Sequence, residues 1–292
     1  MNIKTGKPLL FYSIAAIIIA SVIRFFQYVS IIDFRTGFFT YGSETAGALI
    51  YIVLLAAAAG FAGLTVFGLK KNWTALTVSS DGMGSKATII LGASFLGSAI
   101  SKFIYSIGLD TDAGDGFFEI VSSYAFAIAL AALGLMLLKS SVPPFVTGII
   151  MLISALYFFG SAVSLFTEDL VIKNHSDNLI LLFIYILGTL FFVASARFYS
   201  RIETKLSRTR EVITGGFAFV VSGMYVVSKL IALAFGGDAV KGMSGINADA
   251  VIVLLISGAF IITLCTTEQK SEINYLLPEK DDEEAEKEEK EE

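Results

Sequence analysis

Histidine, cysteine and tryptophan each occur once in this 292-residue chain, proline four times, and charged residues make up only 16% of it. Each scarcity excludes something. The lone His175, in the polar stretch KNHSDN, reads as a solvated loop residue and leaves a Ser–His–Asp triad, a Cys–His dyad or an HExxH zinc site incomplete. The lone Cys265 excludes an intramolecular disulfide and any CxxC or Cys/His metal spacing. Neither G-x-S-x-G nor G-x-x-x-x-G-K-[ST] occurs, and redox cofactors lack obvious ligands. The chain therefore reads as a non-enzyme with no metal and no cofactor. Its basic residues stand at the ends of apolar runs, which gives nucleic-acid binding no support.

Apolar residues are what the chain has in abundance: 55% of the sequence, with a mean hydropathy of +0.76. A helix needs about 20 mostly apolar residues to cross a hydrocarbon core. Eight runs qualify, near 8–32, 46–69, 87–109, 117–138, 144–166, 178–199, 212–235 and 249–267. Segments this long and apolar satisfy their backbone groups in lipid only as helices. The expected fold is all-α: a polytopic integral membrane protein with eight transmembrane helices and the bilayer as its constant partner.

Orientation follows from the basic residues. With the N-terminus inside, the cytoplasmic segments hold Lys4, Lys7, Lys70, Lys71, Lys86, Lys139, Arg197, Arg201, Lys205, Arg208, Arg210 and Lys270. The opposite loops hold only Arg35, Lys173 and Lys241. This positive-inside bias predicts two cytoplasmic termini and a multi-pass protein of the cell membrane. The asymmetry, with no disulfides, suits a bacterial plasma membrane. A cleaved signal peptide is disfavoured, because the first run leads into Arg24, Gln27 and Tyr28 without a small-residue cleavage site.

Two units follow: a transmembrane domain over 1–270 and an acidic cytoplasmic tail over 271–292. From Glu279 onward the tail carries ten acids and three lysines, too charge-dense to fold alone. It is a solvated, repulsive segment or a recruiting surface for a basic cytoplasmic protein.

Within the domain SVIRFF, AISKFI, AVSLFT and VVSKLI align Arg24, Lys102, Leu165 and Lys229 at separations of 78, 63 and 64 residues. TGFF (36–39) echoes DGFF (115–118) in the first two units. Four tandem helical hairpins are expected, over 1–71, 72–140, 141–205 and 206–270. Trp73, in the linker 72–86, fits an interfacial anchor.

Polar residues recur at helical spacing in the odd helices. The stripes are Ser21, Arg24 and Tyr28, with Gln27 beside them; Ser94, Ser98, Ser101, Lys102 and Tyr105; Ser154, Tyr157, Ser161 and Ser164; and Ser222, Tyr225 and Lys229. Since such groups avoid lipid, the odd helices are expected to face inward and the even ones to form the rim. Ala56, Ala59, Gly60 and Gly63 offer small-xxx-small spacings for close helix approach. The stripes serve either as interhelical glue or as a ligand-lining surface.

Arg24, Lys102 and Lys229 lie about 9–13 Å inside the outer ends of their spans, within partial snorkelling reach. Their recurrence on the side that positive charge avoids makes them candidates for function. Acids in or next to the outer loops include Asp33, Glu44, Asp110, Asp112, Asp115, Glu119, Glu168, Asp169, Asp177, Asp238 and Asp249. Glu119, opening the fourth helix, is placed to pair with Lys102.

The leading expectation is a carrier or permease-like protein binding a small anionic solute between the odd helices. Its ligand set is Arg24, Gln27, Ser98, Lys102, Ser161, Tyr225 and Lys229. The alternative is a non-transporting sensor or assembly subunit whose acidic tail engages a cytoplasmic partner. An intramembrane enzyme using carboxylates alone ranks third. Direct pairing of the three cations with acids would favour a sealed bundle; a water-filled path to them would favour binding.

Overall fold

The structure, a computed structural model, describes residues 6–33, 38–40, 42–71, 73, 76, 85–108, 117–139, 143–169, 176–200, 202, 207–241, 243 and 245–266. His175, Asp110, Asp112, Asp115, most of the linker 72–86 and the acidic tail lie outside these residues, as do the side chains of Glu44, Glu168, Asp169 and Asp238.

The apolar runs form eight helices: α1 (Lys7–Ser30), α2 (Glu44–Lys70), α3 (Ser85–Ile107), α4 (Phe117–Lys139), α5 (Pro144–Asp169), α6 (Ser176–Tyr199), α7 (Ser207–Phe235) and α8 (Ala248–Thr266). All eight contain a window long and apolar enough to cross a membrane. The one strand pairing among the described residues is a two-residue antiparallel ribbon, Ile32–Asp33 on Phe38–Phe39, directly after α1.

Local chemistry sets the helix ends. Pro8 sits in the first turn of α1 and Pro144 opens α5, where a missing N–H is harmless. Glu119, Asp177 and Asp249 stand in the first turns of α4, α6 and α8, while Lys70, Lys139 and Arg197 stand in the last turns of α2, α4 and α6. Both placements complement the helix dipole.

α7 is the hub. It packs against α1, α2, α6 and α8, and a chain of neighbours runs from α8 through α3, α4 and α5 back to α6. The N–H of Gly6 donates to the carbonyl of Leu264 at 3.0 Å, so the start of α1 and the end of α8 share one end of the bundle. The opposite end therefore gathers the C-terminal halves of the odd helices with the N-termini of α6 and α8.

Of the odd helices, only α7 lies at the centre, with the even α6 and α8 beside it. In α6, α7 and α8, 61%, 61% and 67% of the apolar window is buried, against 28% in α1, α2 and α5. In lipid there is no hydrophobic gradient to send an apolar helix inward, because the acyl tails are as apolar as leucine. Close packing decides instead. Gly215 of α7 lies against Phe191 of α6 and Phe260 of α8, and Gly216 lies against Phe61 of α2. In α2, Gly60 admits Tyr12, whose hydroxyl donates to the Ala57 carbonyl at 3.1 Å. Ala56, Ala59 and Gly63 face outward instead, with open space at Gly63. Trp73 folds back onto Gly68 and Phe67 and is buried.

Candidate functional site

Two buried charge networks occupy the end of the bundle where α6 and α8 begin. In the first, Arg24 of α1 is fully buried, and its guanidinium donates to Gln27 Oε1 (3.0 Å), Ser176 Oγ (2.9 Å) and Asp177 Oδ1. Tyr28, one turn further on, donates to the same carboxylate oxygen at 2.8 Å. Lys229 of α7 meets the other oxygen, Asp177 Oδ2, at 3.1 Å, and donates to the Gly245 carbonyl at 3.1 Å. One carboxylate at the N-terminus of α6 thus joins α1 to α7. Aromatic faces cover the cations: Arg24 lies 4.7 Å from the Tyr28 ring centre and Lys229 lies 4.8 Å from that of Tyr225.

The second network centres on Asp249, at the start of α8. Lys102 of α3 donates to Asp249 Oδ1 at 2.8 Å and to the Tyr157 hydroxyl of α5. Tyr157 in turn donates to Asp249 Oδ2 at 2.9 Å. The Tyr157 ring stacks on Phe126 of α4 with centroids 4.1 Å apart, which fixes the phenol. Asn247 caps α8 by accepting from the N–H groups of Asp249 (2.9 Å) and Ala250 (3.2 Å). Its side-chain amide donates to the Tyr185 hydroxyl of α6 at 3.3 Å, which ties the α8 terminus to the helix that carries Asp177.

Arg24, Gln27, Lys102, Tyr225 and Lys229 therefore all belong to this polar layer, but they contact protein groups. Gln27 donates to the carbonyls of Ala46 (2.8 Å) and Gly47 (3.2 Å), docking the first turn of α2. Ser98 is buried one turn before Lys102, with its hydroxyl unpaired. Ser161 stays apart, donating to the Tyr157 carbonyl of its own helix at 3.1 Å. Ser106, Ser154 and Ser222 likewise donate to carbonyls four residues back. Such bonding satisfies a hydroxyl without joining two helices. Glu119 is exposed in the first turn of α4, and the carboxylate on Lys102 is Asp249.

Asp177 and Asp249 are the residues that sequence reasoning left among the loop acids. The available signal was their position in the first turn of a span, one helix pitch from apolar sequence. Chemically, the layer holds three cations sharing two carboxylates, with donors turned inward onto acceptors. Among the described residues, no group of three His, Cys, Asp or Glu side chains gathers to hold a metal ion. Comparison with protein-family models, curated proteins and solved structures gives no match.

Proposed function

We propose that the chain is a non-transporting module of the cell membrane, a sensor or assembly subunit with both termini on the cytoplasmic side. One observation carries this reading: Arg24, Lys102 and Lys229 are buried and paired with Asp177 and Asp249. A carrier for anions needs these cations facing a solute. Here they face carboxylates from neighbouring helices, which supports a sealed bundle over a solute path. Buried ion pairs add little net stability over apolar packing, so their value lies in specifying one arrangement of helices. The acidic tail supplies the surface for a basic cytoplasmic partner.

Thiol accessibility tests the proposal. In a Cys265→Ala background, Ser98→Cys places a small reporter beside Lys102, and Lys241→Cys provides an exposed control. A membrane-impermeant maleimide should label the control and leave Cys at 98 untouched until the protein is unfolded. Labelling at 98 in intact membranes, with protection by an added anion, would restore the carrier reading.

A further inference from the structure

The opposite end of α7 holds a further buried ion pair, less completely satisfied than the two networks already described. Arg208, in the first turn, donates through Nη1 to Glu211 Oε2 at 2.6 Å. Its side chain is 5% exposed and Glu211 is fully buried. The guanidinium lies between the Phe198 ring of α6 (4.5 Å) and the Phe260 ring of α8 (5.1 Å). Its other two nitrogens, Nε and Nη2, are buried without a hydrogen-bond partner, and so are Glu211 Oε1 and the hydroxyl of Thr209.

Two of these unpaired atoms share one edge of the guanidinium. Nε and Nη2 form the side edge of the guanidinium, whose two parallel N–H groups match two oxygens of a phosphate or carboxylate. Glu211 takes the far nitrogen and leaves that edge open. Arg208 itself is the second residue of a 29-residue helix, whose first N–H groups lack intrahelical partners and carry the positive end of the dipole. Arg197 and Arg210 are exposed nearby in sequence, at the end of α6 and the start of α7, and add positive potential. Leaving buried donors of a charged group unpaired is unfavourable unless something fills the position.

We propose that the Arg208 side edge, with Thr209 and the α7 N-terminus, is a binding site for a phosphate oxyanion. Positive-inside bias puts this end at the cytoplasmic leaflet, so two sources fit: an anionic lipid headgroup or free phosphate. The proposal is independent of whether the outer networks serve a ligand. A net-neutral Arg208–Glu211 pair plus a helix N-terminus suits a singly charged phosphodiester, which favours the lipid.

Delipidated full-length protein in neutral detergent tests this by thermal shift against phosphatidylglycerol in mixed micelles, phosphatidylcholine micelles and inorganic phosphate. A rise with phosphatidylglycerol alone identifies a lipid site; a rise with inorganic phosphate as well identifies a free-oxyanion site. Arg208→Lys keeps the charge but loses the fork, so half-saturation should move up about tenfold. Arg208→Gln with Glu211→Gln removes both charges together, avoids an orphaned carboxylate and should abolish the response. No shift in the parent, or an equal shift in both variants, overturns the proposal and assigns the unpaired atoms to buried water.

Discussion

Asp177 carries more than any other side chain at the end where α6 and α8 begin, because two cations from different helices depend on it. Asp177→Asn leaves Arg24 and Lys229 with no carboxylate from α6, a loss of about 3–5 kcal/mol by the scale of broken buried pairs. Lys229→Met should cost less, since Arg24 still neutralises the carboxylate and, with Tyr28, holds its Oδ1. Unfolding in sodium dodecyl sulfate should rank the two in that order. Arg24→Lys should behave as a loss, not a conservative change, because an ammonium cannot reproduce the fork that reaches Gln27, Ser176 and Asp177 together. At this scale the sequence was informative about half of each pair. A basic residue inside an apolar run is conspicuous; an acid at a run's edge resembles every other loop acid. Asp177 lies 153 residues from Arg24, and Asp249 lies 147 from Lys102, separations that no local spacing rule spans.

Among the elements, α7 depends most on side-chain-free surface. Gly216→Ala would drive a methyl into the Phe61 ring, and Gly215→Ala would crowd Phe191 and Phe260. Both substitutions should lower the melting temperature. Gly63→Ala meets open space and should be neutral or stabilising by up to about 1 kcal/mol, as expected for alanine over glycine in a helix. Comparing these variants in one thermal series separates close packing from helix propensity. The eight spans were legible because bilayer thickness imposes a length that soluble folds lack. Which spans lie at the centre was not. Polar stripes mark a seam on a helix, yet serine hydroxyls satisfy themselves on their own backbone, as Ser154 and Ser161 do. α8, apolar on nearly every side, is the most buried span.

Across the whole molecule, ionic pairs stand at both ends of the α6–α7–α8 centre. Where α6 and α8 begin, they bridge α1 to α6 and α7, and α3 and α5 to α8. At the other end Arg208 and Glu211 belong to one helix and leave guanidinium donors open. The bundle is thus fastened between helices at one end and unsaturated at the other, and the sequence disguised this contrast. Arg208 counted among the residues of the positive-inside bias, and nothing distinguished a buried arginine from an interfacial one. The Glu211 spacing of three residues was the available clue.

The central claim is that Arg24, Lys102 and Lys229 serve neighbouring carboxylates and not a solute. A double-mutant cycle on Lys102 and Asp249 tests it most directly, with Lys102→Met, Asp249→Asn and the pair measured by sodium dodecyl sulfate unfolding. The account predicts two strongly destabilised single variants and a double variant that recovers part of the loss, giving a coupling of about 1–3 kcal/mol. Losses that simply add, within about 0.5 kcal/mol, would contradict it.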